Sequence, residues 1–324
     1  MSKAIRFHKT GGPEVLQLDE VSVGEPGPGQ ARVRHTAIGV NFLDTYQRSG
    51  LYPIQLPSGA GNEGAGVVEA VGQGVTQLKA GDRVAYTGGT PGAYSETRLY
   101  PADRLVKTPA GISDEQAASI MLKGMTAQYL IHRTYAVKRG DTVLFHAAAG
   151  GVGLLACQWL KALGATVIGT VGSDEKAAIA KAHGCDHAIV YTRENFVERV
   201  KEITGGKGVP VVYDSVGKST FEGSLDCLRP FGLMVSFGNA SGAVPPFNTG
   251  ILAQKGSLYL TRPTLVTYIA ARADLEATSS ALFDAIKSGK VKVDISARYK
   301  LADAAQAHRD LEARKTTGQI ILVP

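Results

Sequence analysis

Val143-Leu144-Phe145-His146-Ala147-Ala148-Ala149-Gly150-Gly151-Val152-Gly153-Leu154-Leu155-Ala156 carries an apolar run, a glycine cluster and a second apolar run without one charged residue. The pattern predicts a buried strand, a tight turn and a helix. Within it Gly151-x-Gly153-x-x-Ala156 has dinucleotide-binding spacing: one glycine for a sharp turn, a second for close approach to a pyrophosphate, and a small residue for packing the helix on the sheet. The helix N-terminus offers N–H groups and the positive end of its dipole to an anion. Gly150, Gly151, Val152 and Gly153 are the candidate phosphate contacts.

Further along the chain the same rhythm repeats. Strands are expected at 166–171, 188–191, 209–214, 233–237 and 257–261, and helices at 151–163, 174–183, 195–204 and 220–229. Six short apolar strands, most of them linked by helices, describe a doubly wound parallel sheet. Before residue 124 the texture differs. Gly11-Gly12-Pro13, Pro26-Gly27-Pro28-Gly29 and Gly88-Gly89-Thr90-Pro91-Gly92 punctuate short alternating runs, as in a β-rich, barrel-like module. A helix over 113–134 opens with Ser113 and Gln116 at capping-box spacing. The last 60 or so residues, with a helix at 273–288 and a strand at 320–323, are too few to stand alone. The expected division is 1–124, 125–263, and 264–324 returning to the first module.

Composition excludes several classes. The chain of 324 residues is 44% hydrophobic and 20% charged, enough apolar material to rule out wholesale disorder. Its 39 glycines follow no G-X-Y period, which rules out collagen. The net charge of +6 is scattered, so it provides no basic arm for nucleic acid and suits an anionic small ligand. Cys157, Cys185 and Cys227 form no C-x-x-C pair, and a reducing, cytoplasmic setting is expected. The opening residues MSKAIRFHKT lack the apolar run of a signal peptide. Residues 142–160 lack Asp, Glu, Lys and Arg, yet their glycines, His146 and Gln158 fit strand–loop–helix better than a membrane span.

The second strand of the glycine-turn unit indicates which dinucleotide is bound. Gly169-Thr170-Val171-Gly172-Ser173 has no carboxylate before Asp174, whereas NAD enzymes place an acid there for the ribose 2′-OH. Asp174 and Glu175 read as first-turn helix residues. Lys176 is placed to meet a 2′-phosphate, with Ser173 donating a hydrogen bond. Gly172, Ser173 and Lys176 therefore point to NADPH, although a solvated helix lysine is the plainer reading of Lys176. Gly217-Lys218-Ser219-Thr220 imitates the end of a P-loop, but position 212 is Val212 instead of the required glycine.

Gly140-Asp141, Leu144, Ala148-Ala149-Gly150-Gly151-x-Gly153, Gln158 and Lys161 together resemble the signature of the quinone oxidoreductase/ζ-crystallin branch of the medium-chain dehydrogenase/reductase superfamily. Asn41-Phe42-x-Asp44-x-Tyr46, Gly50-Leu51-Tyr52-Pro53, Gly61-Asn62-Glu63-Gly64, Lys79-Ala80-Gly81-Asp82 and Val211-Val212-Tyr213-Asp214-Ser215-Val216-Gly217 extend the resemblance over nearly the whole chain. It implies an α/β protein with a GroES-like β-barrel built from both chain ends, a central Rossmann sheet, NADPH in a cleft between them, and a homodimer. The last Rossmann strand, near 255–261, is the expected dimer edge.

The resemblance also implies roles. Asn41, Asp44, Tyr46 and Tyr52 belong at the nicotinamide end. Asn41 is expected to donate to a substrate oxygen, and Tyr46 and Tyr52 to stack on the substrate or hydrogen-bond to it, against the plainer roles of loop support and core packing. Thr126 and Tyr129 read as cofactor contacts, although helix packing explains Tyr129 equally well. Ser215, Val216, Phe237 and Gly238 follow the fourth and fifth strands, at the edge where such sheets bind ligands. Tyr191 is expected near the adenosine, Arg262 at a phosphate or the nicotinamide, and Lys315 as a weaker contact.

Zinc alcohol dehydrogenases carry Gly-His-Glu where this chain has Gly61-Asn62-Glu63, and a cysteine near Asn41. A carboxamide is a poor zinc ligand, and no cysteine lies in the first module. Gly184 separates His183 from His187. No metal is expected, and alcohol oxidation, which needs a Lewis acid, is disfavoured. A quinone suits such a site, because it accepts hydride readily and water can protonate the product. An NADPH-dependent reductase of α,β-unsaturated ketones or aldehydes is the nearest alternative. A non-catalytic, crystallin-like nucleotide- or RNA-binding protein is the other.

Overall fold

In the computed structural model, which describes residues 1–324, the chain divides near Met125. Met1–Met125, Ile269–Lys287 and Val293–Pro324 form one unit; Thr126–Tyr268 and Ser288–Lys292 form the other. The return to the first unit therefore begins at Ile269 and is interrupted at 288–292.

The N-terminal part supplies β1 (Ser2–Phe7), β2 (Gln17–Val21), β3 (Gln30–Gly39), α1 (Phe42–Ser49), β4 (Ser58–Gly59), β5 (Glu63–Val71), β6 (Arg83–Thr87), β7 (Thr97–Pro101), β8 (Val106–Lys107) and α2 (Asp114–Tyr129). Alternation turns Ala31 and Val33 of β3 into the core, as a half-buried strand requires. At the start of α2, Ser113 N–H donates to Gln116 Oε1 at 3.0 Å and Gln116 N–H to Ser113 Oγ at 3.1 Å, the reciprocal cap expected from the sequence. The helix stops at Tyr129 and gives way to one π-helical turn, Leu130–Thr134, so the expected single helix over 113–134 changes its bonding near the end.

The second unit contains β9 (Thr142–Phe145), α3 (Gly151–Leu163), β10 (Thr166–Val171), α4 (Asp174–Ala182), β11 (His187–Val190), α5 (Phe196–Ile203), β12 (Val209–Asp214), α6 (Phe221–Asp226), β13 (Leu228–Ser236), α7 (Gly250–Gln254), β14 (Tyr259–Thr261) and α8 (Leu265–Tyr268). Its sheet runs β11-β10-β9-β12-β13-β14, every pair parallel. That is a doubly wound Rossmann order, with the direction of winding reversing between β9 and β12. Leu144, Ile168, Val212 and Met234, one from each of four strands, are fully buried. The helix expected over 220–229 ends at Asp226, because Leu228 already pairs with Val209 across a register shift.

The chain closes with α9 (Arg272–Lys287), β15 (Ile295–Lys300), α10 (Ala304–Glu312) and β16 (Gln319–Val323). β16 lies between β15 and β3 in the sheet β15-β16-β3-β5-β6-β8, with β7 also paired to β3. The first unit is thus a β-barrel-like module made from both ends of the sequence. No helix is long and apolar enough to cross a membrane.

Candidate functional site

The glycine turn leaves the carboxyl end of β9, beside the reversal point of the sheet. The left-handed residue of this turn is Ala147 (φ 55°), while Gly150, the N-cap of α3, is extended. The sharp bend expected at Gly151 therefore falls four residues earlier. A Cβ on Gly153 would lie 2.4 Å from the Ala147 carbonyl oxygen and 2.7 Å from that of Ala148. Gly153 is required by the turn itself, whose carbonyls fold back onto the helix start. Gly151 and Val152 open α3 at the first turn of the helix, the kind of position at which helices receive anions. Ala156 is fully buried, as close helix–sheet packing demands.

Beside this turn, Asp214 at the end of β12 is fully buried. Its carboxylate accepts from Val216 N–H (2.7 Å), Gly217 N–H (3.0 Å), the Thr220 hydroxyl (2.7 Å) and the Ser224 hydroxyl (2.9 Å). Ser215 and Val216 are held in place by this one side chain. A Cβ on Gly238 would stand 2.5 Å from the Ser215 carbonyl oxygen, so the segments after β12 and β13 touch at Ser215 and Gly238. Phe237 packs against Phe145, ring centres 5.8 Å apart. His146 ties the neighbourhood together, with Nδ1 2.9 Å from Thr170 Oγ1 and Nε2 3.0 Å from Ser224 Oγ. Burial lowers its pKa. The sequence reading missed the roles of Asp214, which gathers the loop and helix after β12, and of His146, which bridges β10 and α6.

At the end of β10, Ser173 caps α4 by accepting from the Lys176 N–H at 3.3 Å. A Cβ on Gly172 would meet the Tyr191 hydroxyl at 3.0 Å, so Gly172 makes room for that ring. Gly172, Ser173, Lys176 and Tyr191 are thus brought together. Arg193, absent from the sequence reading, joins them through a two-pronged pair with Asp174. Arg262 follows β14 and is exposed. Thr126 is buried, and Tyr129 stacks on Tyr268 at 4.3 Å and 14°.

In the first unit, β3 delivers Asn41 as the N-cap of α1, which carries Asp44 and Tyr46. Asn41 Nδ2 donates to Glu63 Oε1 at 2.9 Å, while its Oδ1 is buried without a hydrogen-bond partner. The expectation that Asn41 donates to a substrate oxygen meets an amide already turned toward Glu63, because only a donor suits that carboxylate. Lys123 Nζ binds the same Glu63 oxygen at 2.9 Å, and Leu122 N–H binds the other at 2.7 Å.

Asp44, 3% exposed, accepts from Asn62 Nδ2 (2.6 Å), the Tyr94 hydroxyl (2.8 Å) and Asn41 N–H (2.8 Å). Burial pushes its pKa up to about 6 despite these bonds. Behind it Tyr94 reaches His308 Nε2 at 3.0 Å, and His308 Nδ1 lies 3.1 Å from an Arg48 nitrogen. Burial and the Arg48 charge lower the His308 pKa to about 3. Tyr46 and Tyr52 sit with ring centres 5.2 Å apart, both half-buried. Lys315 is exposed, its ammonium 3.8 Å from Asp310.

The chain matches two family models: "Alcohol dehydrogenase GroES-like domain" over residues 27–110 and "Zinc-binding dehydrogenase" over residues 151–282. A quinone oxidoreductase of Pseudomonas aeruginosa is 57% identical over 325 residues, spanning all of both chains. A 2-haloacrylate reductase of a Burkholderia species is 50% identical over 331 residues, covering 100% of this chain and 99% of that one. The crystal structure of Escherichia coli quinone oxidoreductase complexed with NADPH superposes with a TM-score of 0.98 at 55% identity, covering 99% of this chain and 100% of that one.

The zinc in the second family description does not fit these residues. Asn41 and Asn62 offer carboxamides, poor zinc ligands, in place of thiolate or imidazole, and no three His, Cys, Asp or Glu side chains converge to hold an ion. By sequence over its full length and by fold, the chain belongs to the quinone oxidoreductase family of the medium-chain dehydrogenase/reductase superfamily.

Proposed function

We infer that this protein is an enzyme that reduces quinones with NADPH and without a metal. The observation that carries the reading is the end of β10. Gly172, Ser173, Lys176 and Tyr191 gather there, which supports a 2′-phosphate site, and Asp174, the first residue of α4, is tied to Arg193. Full-length relatives named quinone oxidoreductase, one of them solved with NADPH, support the same conclusion. When bound, the cofactor supplies hydride from its nicotinamide.

The chain's own part is placement. The α3 N-terminus and Gly150–Gly153 take the pyrophosphate, and the Asp214-held Ser215 and Val216 line the adjoining edge with Phe237 and Gly238. Thr126, Tyr129, Arg262 and Lys315 are weaker cofactor contacts on this reading. The buried Asn41 Oδ1 has no protein partner. It suits an N–H or O–H of a ligand, such as a nicotinamide carboxamide or a hydroxyl of the reduced product. Tyr46 and Tyr52 offer aromatic faces to a quinone ring. Residues 1–124 with the C-terminal return form the catalytic module, and the Rossmann unit holds the nucleotide.

Steady-state NADPH oxidation tests this. Turnover of a simple benzoquinone well above that of an enone is expected, and the reverse order would favour reduction of activated alkenes. The likeness to a 2-haloacrylate reductase makes that second reading a specific one.

Assembly belongs to the proposal too. β14 is the free edge of the parallel sheet, and Tyr259 on it is 61% exposed. We propose a twofold dimer that pairs these edges near 255–261; a monomer in sedimentation would refute it.

A further inference from the structure

We propose that Arg193 sets the preference for NADPH over NADH by neutralising Asp174. The proposal rests on the NADPH reading above and deepens it. Asp174 is the first residue of α4, directly after the cap Ser173, at the end of the second strand of the Rossmann unit. A bare carboxylate at this end of the sheet accepts from a ribose 2′-OH and repels a 2′-phosphate, which selects NADH. Arg193, three residues beyond β11, closes off both oxygens of that carboxylate with two guanidinium nitrogens. A planar fork matched to a carboxylate engages both of its oxygens and brings a full positive charge against it.

The surroundings fit this role. Glu175 is exposed beside Asp174, and Lys176 is the nearest cation on the same helix. With Arg193 in place the four charges cancel; without it the 2′-phosphate would meet a net negative cluster. The loop carrying Arg193 is tied to the same place, since Tyr191 N–H donates to the Val171 carbonyl and the Thr192 hydroxyl to that of Gly172. Stability does not account for the pair. Its side chains are 57% and 71% exposed, and pairs that exposed contribute little to folding. Removing it should therefore leave the fold intact.

The test is a double-mutant cycle read as dissociation constants for NADPH and NADH, by titration calorimetry, on the full chain. Arg193→Gln should weaken NADPH about five- to tenfold and leave NADH within about twofold or tighten it, as expected for one uncovered charge near a screened phosphate. Asp174→Asn alone should leave NADPH within about twofold, and the double variant should return to that level, since no charge remains to cover. If the double variant stays as weak as Arg193→Gln, Arg193 is not a mask. If Arg193→Gln weakens both nucleotides alike or neither, the proposal is equally overturned. A wild-type protein that prefers NADH overturns the NADPH reading and the proposal with it, a result visible before any variant is made.

Discussion

Glu63 Oε1 is shared by Asn41 Nδ2 and Lys123 Nζ, each at 2.9 Å, so one carboxylate oxygen orients the Asn41 amide and neutralises a buried ammonium. Glu63 is fully buried and Lys123 is 8% exposed in its side chain. Removing one partner of such a pair strands the other. Glu63→Gln should cost about 3–5 kcal/mol in urea unfolding. Lys123→Met combined with Glu63→Gln should recover part of that loss, because no unpaired charge is left behind.

Gly153 and Gly150 should respond differently to alanine. The Gly153 Cβ would press two backbone carbonyls at 2.4 and 2.7 Å, whereas that of Gly150 would lie 3.1 Å from one. Backbone cannot swing aside as a side chain does. Gly153→Ala should raise the NADPH dissociation constant at least about tenfold by displacing the α3 N-terminus, and Gly150→Ala should do so much less. Fluorescence titration of NADPH measures both.

Lys176 carries the phosphate assignment. Lys176→Ala should weaken NADPH about tenfold and NADH by less than about twofold, as loss of one charge-assisted contact implies. Equal effects on the two nucleotides would remove the 2′-phosphate from this place.

Chelation should change nothing. Asn41 and Asn62 are carboxamides, donors that bind zinc poorly. Turnover after dialysis against EDTA should equal that of untreated enzyme, and restoration by added zinc would contradict the assignment.

Acid should destabilise the first unit from about pH 6.5 downward. His35 donates Nδ1–H to the Ser95 carbonyl and accepts from the Tyr86 hydroxyl; burial lowers its pKa to about 4. His308 is lowered to about 3. Both are neutral when folded and take up protons when unfolded. Each therefore withdraws up to about 1.4 kcal/mol per pH unit, between pH 6.5 and 4 for His35 and between 6.5 and 3 for His308. Asp44, raised to about 6, acts in the opposite sense between pH 6 and 3.8 and offsets one of them. Unfolding free energy at pH 5 should be lower than at pH 7, with a shallower slope in His35→Gln.

The parts of this molecule legible in its sequence are those built from neighbouring residues. The helix Gly151–Leu163 and the strands Thr166–Val171 and Val209–Asp214 follow from apolar period and glycine punctuation, and the Ser113–Gln116 cap from its spacing. What local pattern does not carry is long-range. Arg48 meets His308 and Glu312 across 260 and 264 positions, and Tyr94 meets Asp44 across 50. No spacing rule announces such pairs. α10, nine residues, and β15, six, also went unrecognised, because elements this short show only two or three apolar positions of their period. Arg193 escaped notice because it lies 19 residues from the acid it covers.

β16 sits between β15 and β3, with Ile321 opposite Gly39 and Leu322 opposite Ile38. The ribosome therefore delivers the last sheet partner of residue 38 nearly three hundred codons after residue 38 itself. All six strands of the Rossmann sheet, complete by Thr261, emerge before that partner does. The Rossmann unit can mature on the nascent chain, while the unit carrying Asn41 must wait for β16.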